Sequence, residues 1–125
     1  MYRAASCSGT QTLTAKTGVV ERGAHLQSII PLQTYAPGES CVYAIAVPKA
    51  KNLTLTFNSV ATGYDQLDHI DVLQGTVLKQ KITGSNTAKV VVRLVGNNTT
   101  VKWTSYGGKS PFPDATGFYM TYTSA

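Results

Sequence analysis

Cys41, Tyr43, Ile45 and Val47 fall on one face of an extended segment and Val42, Ala44 and Ala46 on the other, so both faces are apolar. A strand of that kind belongs inside a sheet. The turn pair Pro37-Gly38 precedes it, and Pro48, which has no amide hydrogen to donate, closes it. Leu53, Leu55 and Phe57 alternate with Thr54, Thr56 and Asn58, which predicts a strand with its apolar face inward and threonine outward. Val90, Val92 and Leu94 set the same period within residues 89–95, and Val101, Trp103 and Ser105 set it against Lys102, Thr104 and Tyr106.

Shorter runs fill the rest. Residues 1–17 read as a polar lead-in with one edge strand near 12–15, and residues 18–20 and 29–32 as edge elements on either side of a bend. Residues 58–67 read as a loop, 68–73 and 77–82 as strands joined at Gln74-Gly75, and 84–86 as a turn. Gly96-Asn97-Asn98 turns the chain again, a Gly- and Pro-rich loop follows Tyr106, and residues 117–122 form the last strand. Short strands with turn signals between them, and no helical period, predict an all-β fold: a two-sheet antiparallel β-sandwich, jelly-roll-like. At 125 residues the chain is expected to be a single domain, residues 1–125.

Apolar residues make up 42% of the chain and charged residues 14%, a balance that suits half-buried sheets and argues against disorder. The net charge of +5 comes from lysines and arginines scattered singly, which argues against a nucleic-acid arm. A basic surface of this kind serves solubility, or meets acidic glycans or anionic lipid heads. No stretch approaches the ~18 apolar residues of a membrane-spanning helix, and the N-terminus has no apolar signal core. Two cysteines, Cys7 and Cys41, allow one disulfide or a pair of buried thiols. The disulfide closes a loop of about 35 residues, worth roughly 3 to 4 kcal/mol in the chain-entropy model.

Catalysis finds little support. There is no Gly-x-Ser-x-Gly elbow, and the only histidines are His25 in a bend and His69 beside a strand. Gly108-Lys109-Ser110 has the tail of a phosphate-binding loop, but Trp103 stands where its first glycine belongs and Pro111 where its helix would start. His69 and Asp71 share a strand face near Asp65 and Asp68, a weak metal arrangement for which a solvated polar face is the simpler reading. Asn52, Asn97 and Asn98 each head an Asn-x-Thr glycan acceptor pattern.

With the strands placed, the order of marks resembles the CUB domain, an extracellular β-sandwich. Cys7 and then Gly18-Val19-Val20 resemble that family's first cysteine and following strand, and Tyr35 leading to Cys41-Val42-Tyr43-Ala44-Ile45 its tyrosine and second cysteine. Leu53 to Phe57, Asp68 to Gly75, and Val101 to Ser105 followed by Gly117 to Tyr122 are similar to its later strands. The resemblance implies a Cys7–Cys41 disulfide, secretion, and a non-catalytic binding or adhesion role toward an extracellular protein or glycan. A structural subunit of an extracellular coat or filament is the alternative, with homo-oligomers left open. The family's second cysteine pair is missing, and its calcium ligands carry over onto Val60, Asp68 and Tyr106, of which only Asp68 is an acid. No cofactor is therefore expected. The partner surface is expected on the loop of residues 106–115, with Tyr106, Lys109 and Phe112 as contacts and Tyr64 bordering them.

Overall fold

The computed structural model describes residues 7–23, 39–61, 68–83, 85–86, 89–105 and 117–125. In chain order the strands are β1 (Ser8–Leu13), β2 (Thr17–Gly23), β3 (Ser40–Ala46), β4 (Asn52–Ala61), β5 (His69–Gln74), β6 (Val77–Thr83), β7 (Ser85–Asn86), β8 (Val90–Val95), β9 (Asn98–Thr104) and β10 (Gly117–Ser124). One sheet runs β1-β3-β9-β5-β6; the other runs β2-β10-β4-β7, with β8 also paired to β4. Every pairing is antiparallel except β1 with β3, which is parallel. The expected two-sheet sandwich is what forms, and among the described residues there is no helix.

The apolar face of each strand meets the other sheet. Cys41, Tyr43, Ile45, Ile70, Val72, Val101 and Trp103 line one side of the core, and Leu53, Leu55, Phe57, Phe118, Met120 and Tyr122 the other. Trp103 bridges the layers with its ring 5.3 Å from that of Phe118, which in turn lies 6.3 Å from Phe57. As the two apolar faces of its sequence required, β3 lies inside its sheet, between β1 and β9. Val90 is half-buried against the core rather than in it.

Three local expectations need correction. The N-terminal edge strand occupies Ser8–Leu13 rather than residues 12–15, because its ladder is set by parallel register with β3, Ser8 beside Ser40 and Leu13 beside Ile45. Residues 58–61 are strand and not loop. The register against β10 steps from Phe57 to Ser59 while β10 steps only from Met120 to Tyr119, so Asn58 is the extra residue of a β-bulge. The bulge resets the alternation and puts Val60 in the core three residues after Phe57, and that break in period is what looked like a loop. Ser85–Asn86, expected as a turn, pairs with Val60 and Ala61 as β7.

The two ends of the sandwich differ. The connections 14–16, 47–51, 75–76 and 96–97 close one end. Gly75, at φ 61°, takes the first place of the two-residue β5–β6 turn, where a II′ hairpin needs glycine. The Gln74 side-chain amide donates to the Val95 and Asn98 carbonyls at 2.8 and 3.2 Å and so ties the sheets together there. At the edge strand β6 a second bulge and the exposed Lys79 and Lys81 oppose edge-to-edge pairing with another chain.

Candidate functional site

The opposite end is organised around the first residues of β3. Cys7 and Cys41 are joined in a disulfide with their Cα atoms 5.7 Å apart, which ties the approach to β1 onto β3. Beside them, Glu39 and Ser105 clamp the ends of β3 and β9. The Glu39 amide donates to Ser105 Oγ at 2.7 Å, and the Ser105 amide donates to the Glu39 carbonyl at 2.9 Å. The Glu39 carboxyl turns inward and accepts from Trp103 Nε1 at 2.7 Å. A carboxylate beside two sulfurs has the makings of a metal cluster, but here the sulfurs are bonded to each other and the carboxyl holds an indole. This end is a built, covalently stapled platform.

Two strand pairings end on that platform. Ala61 and Gly117 are partners in the β4–β10 ladder, and His69 and Thr104 are partners in the β5–β9 ladder. In sequence, residues 62–67 follow Ala61 and residues 106–116 precede Gly117. The expected contacts Tyr64, Tyr106, Lys109 and Phe112 belong to these two segments and lie outside the described residues.

The family's calcium ligands do not fit this chain. Val60 is buried in the core and offers no side-chain oxygen; Asp68 is buried and its carbonyl accepts from the Thr83 hydroxyl at 2.9 Å. His69 Nε2 lies 3.5 Å from Asp71 Oδ2 on the outer face of the sheet, as a pair rather than part of a wider ligand set among the described residues. Asn52, Asn97 and Asn98 are all exposed, and all stand at the end remote from the disulfide.

Glu39 was not singled out by the sequence. It looked like one polar residue of a Pro-Gly turn, and only its place directly before a strand with two apolar faces hinted at burial. Tyr122 is the other unforeseen polar anchor. Its hydroxyl donates to the Ala15 carbonyl at 3.0 Å, while Ser124 Oγ donates to the Lys16 carbonyl at 2.8 Å, so β10 holds the β1–β2 connection from below.

The sequence matches the CUB-like domain family over residues 4–124. No similar sequence is found among curated proteins. Among solved structures, the full extracellular region of zebrafish Gpr126/Adgrg6 superposes with a TM-score of 0.73 at 22% identity, over 97% of this chain and 15% of that one. The CUB1-EGF-CUB2 domain of human MASP-1/3 gives 0.73 at 18% identity, over 96% of this chain and 43% of that one. The chain thus spans well under half the length of both. The MASP-1 CUB2 domain bound to Ca²⁺ gives 0.71 at 18% identity, over 94% of this chain and 99% of that one. A match along nearly the whole length, a sandwich shared with solved CUB domains and a Cys7–Cys41 staple where the family has its first bridge lead to one conclusion: this chain belongs to the CUB-like domain family.

Proposed function

We propose that the chain is a secreted, non-catalytic binding or adhesion module whose partner is an extracellular protein or glycan. The observation that supports this reading is the Ala61–Gly117 pairing at the stapled end, since the segment bearing Tyr64 follows the one residue in sequence and that bearing Phe112 precedes the other. Loops held on a rigid sandwich are where binding residues collect. Tyr106 and Phe112 supply aromatic anchors and Lys109 a charge, and the prolines on either side of Phe112 restrict its backbone, so less entropy is lost on contact. The disulfide supports an oxidising, extracellular setting. CUB domains generally act as interaction modules without catalysis, and similar folds occur in the extracellular region of Gpr126/Adgrg6.

The test is Phe112→Ala. A partner contact predicts an unchanged melting temperature with affinity lowered by about 1 kcal/mol or more. A large fall in melting temperature with unchanged affinity would make Phe112 a lid on the core instead.

A further inference from the structure

The connections that close the end remote from the disulfide, 14–16, 47–51, 75–76 and 96–97, carry Lys16, Lys49 and Lys51 and no acid. Of the described acids, Glu39 and Asp68 are buried at the other end, Glu21 sits on β2 and Asp71 on β5. At ~3.3 Å per residue, Glu21 and Asp71 stand about 10 to 13 Å up their strands. That exceeds the ~8 Å Debye length at physiological ionic strength, so no acidic side chain among the described residues offsets the lysines at this end.

These cations are not spread on a flat face. Lys16 and Lys49 line a cleft of about 320 Å³ floored by Val47, Pro48 and Ala50. Arg93 lines a neighbouring cleft of about 360 Å³ with Leu53, Leu94 and Val95. The clefts share Ala125 in their linings, and its carbonyl accepts from the Lys51 and Asn52 amides at 2.7 and 3.1 Å, so the Lys51 backbone lies beside the residue they share. Together they present Lys16 and Lys49 in one cleft and Arg93 in the next. Among the described residues no aromatic lines either cleft, so they lack the stacking surface of a single-stranded nucleic-acid site.

Lys49 supplies an independent observation. Val47-Pro48-Lys49-Ala50 is a turn closed by the Ala50 amide on the Val47 carbonyl at 3.2 Å. Pro48 takes its second position and Lys49 its third, at φ 67°, where a type II turn favours glycine. Lys49 is the only non-glycine with positive φ among the described residues. Its exposed side chain makes no ion pair or hydrogen bond among them that would offset the backbone strain. A strained residue holding an unengaged cation in a cleft points to function.

We propose that this end binds a linear sulfated or carboxylated polysaccharide, with Lys16, Lys49, Lys51 and Arg93 as its cationic contacts. Adjoining clefts with cations in each suit a polymer chain laid across them better than the flat surface of a bilayer. The site is at the opposite end from the segments of Tyr64 and Phe112 and does not depend on the reading given to them.

The experiment measures heparin binding to the purified chain at about 0.15 M salt, with heparin at about micromolar concentration. Lys16→Ser/Lys49→Gly/Lys51→Ser is expected to weaken heparin at least about tenfold. Lys79→Ser/Lys81→Ser/Lys102→Ser, which removes the same charge from exposed positions on β6 and β9, should change it less than about twofold. Lys49→Gly alone should lower heparin affinity without lowering the melting temperature, which shows that the turn remains folded. Phe112→Ala should leave heparin binding intact, so loss of the loop site and loss of this one are told apart. Equal losses in the two triple variants would reduce the effect to bulk charge and overturn the proposal. So would the absence of heparin binding by the native chain, or phosphatidylserine vesicles binding as tightly as heparin with the same sensitivity to the cleft variant.

Discussion

Glu39 and Trp103 are 64 residues apart in sequence and share one buried hydrogen bond, the indole Nε1–H donating to the carboxyl oxygen at 2.7 Å. Glu39 is 1% exposed and Trp103 is fully buried, so neither group can exchange its partner for water. Glu39→Ala is expected to cost about 1–3 kcal/mol, the penalty for leaving a buried donor unsatisfied. Glu39→Gln keeps a carbonyl oxygen in reach and should cost less. Urea unfolding followed by the emission of Trp103, the only tryptophan, reads both variants directly. Equal losses for Ala and Gln would show that this bond is not what holds the end together.

Gly18 lies under the ring of Tyr122. A methyl group built there stands 2.5 Å from Cε1 of that ring, which is held between the sheets and by its hydroxyl. Gly18→Ala must therefore push β2 or the ring aside, at about 1–3 kcal/mol. Thermal unfolding should show the melting temperature several degrees lower.

Tyr122 also gives the chain an alkaline limit. Burial disfavours the phenolate and raises the Tyr122 pKa above the ordinary tyrosine value. The unfolded chain then loses this proton at lower pH than the folded one. The stabilisation is complete below about pH 10 and is lost as pH rises toward the folded pKa. Tyr122→Phe should be less stable than the native chain at neutral pH, having lost the bond to Ala15, and should show a shallower decline above about pH 10. Parallel slopes in the two proteins would contradict this.

Calcium should bind weakly or not at all at the family position. A tight site needs about 6 to 8 oxygen ligands, and Val60 contributes none. Titration calorimetry is expected to show no micromolar calcium affinity; such affinity, abolished by Asp68→Asn, would refute the inference.

The strands with an unbroken period were legible in the sequence, since Cys41 to Val47, Leu53 to Phe57 and Val101 to Ser105 each carry the burial pattern that the sandwich shows. The pattern failed where the backbone departs from period two. The bulge at Asn58 shifts Val60 back into the core, and the short β7 pairs only because β4 extends past that bulge. Glu39 was hidden for another reason: its burial depends on Trp103, and local propensity holds no record of so distant a contact. The lysine end was hidden in the same way. Lys49 and Lys51 are neighbours in sequence, but Lys16 joins Lys49 only once β1 and β2 are folded beside β3 and β10.

The central claim is that the stapled end presents a partner site. The most direct measurement applies the native chain and Phe112→Ala, matched for melting temperature, to one array of extracellular glycans and secreted-protein ectodomains. The account predicts that the native chain retains a defined ligand and that Phe112→Ala loses it by about fivefold or more with its melting temperature unchanged. Retention of every ligand by the variant, or no ligand for the native chain apart from polyanions, would contradict it.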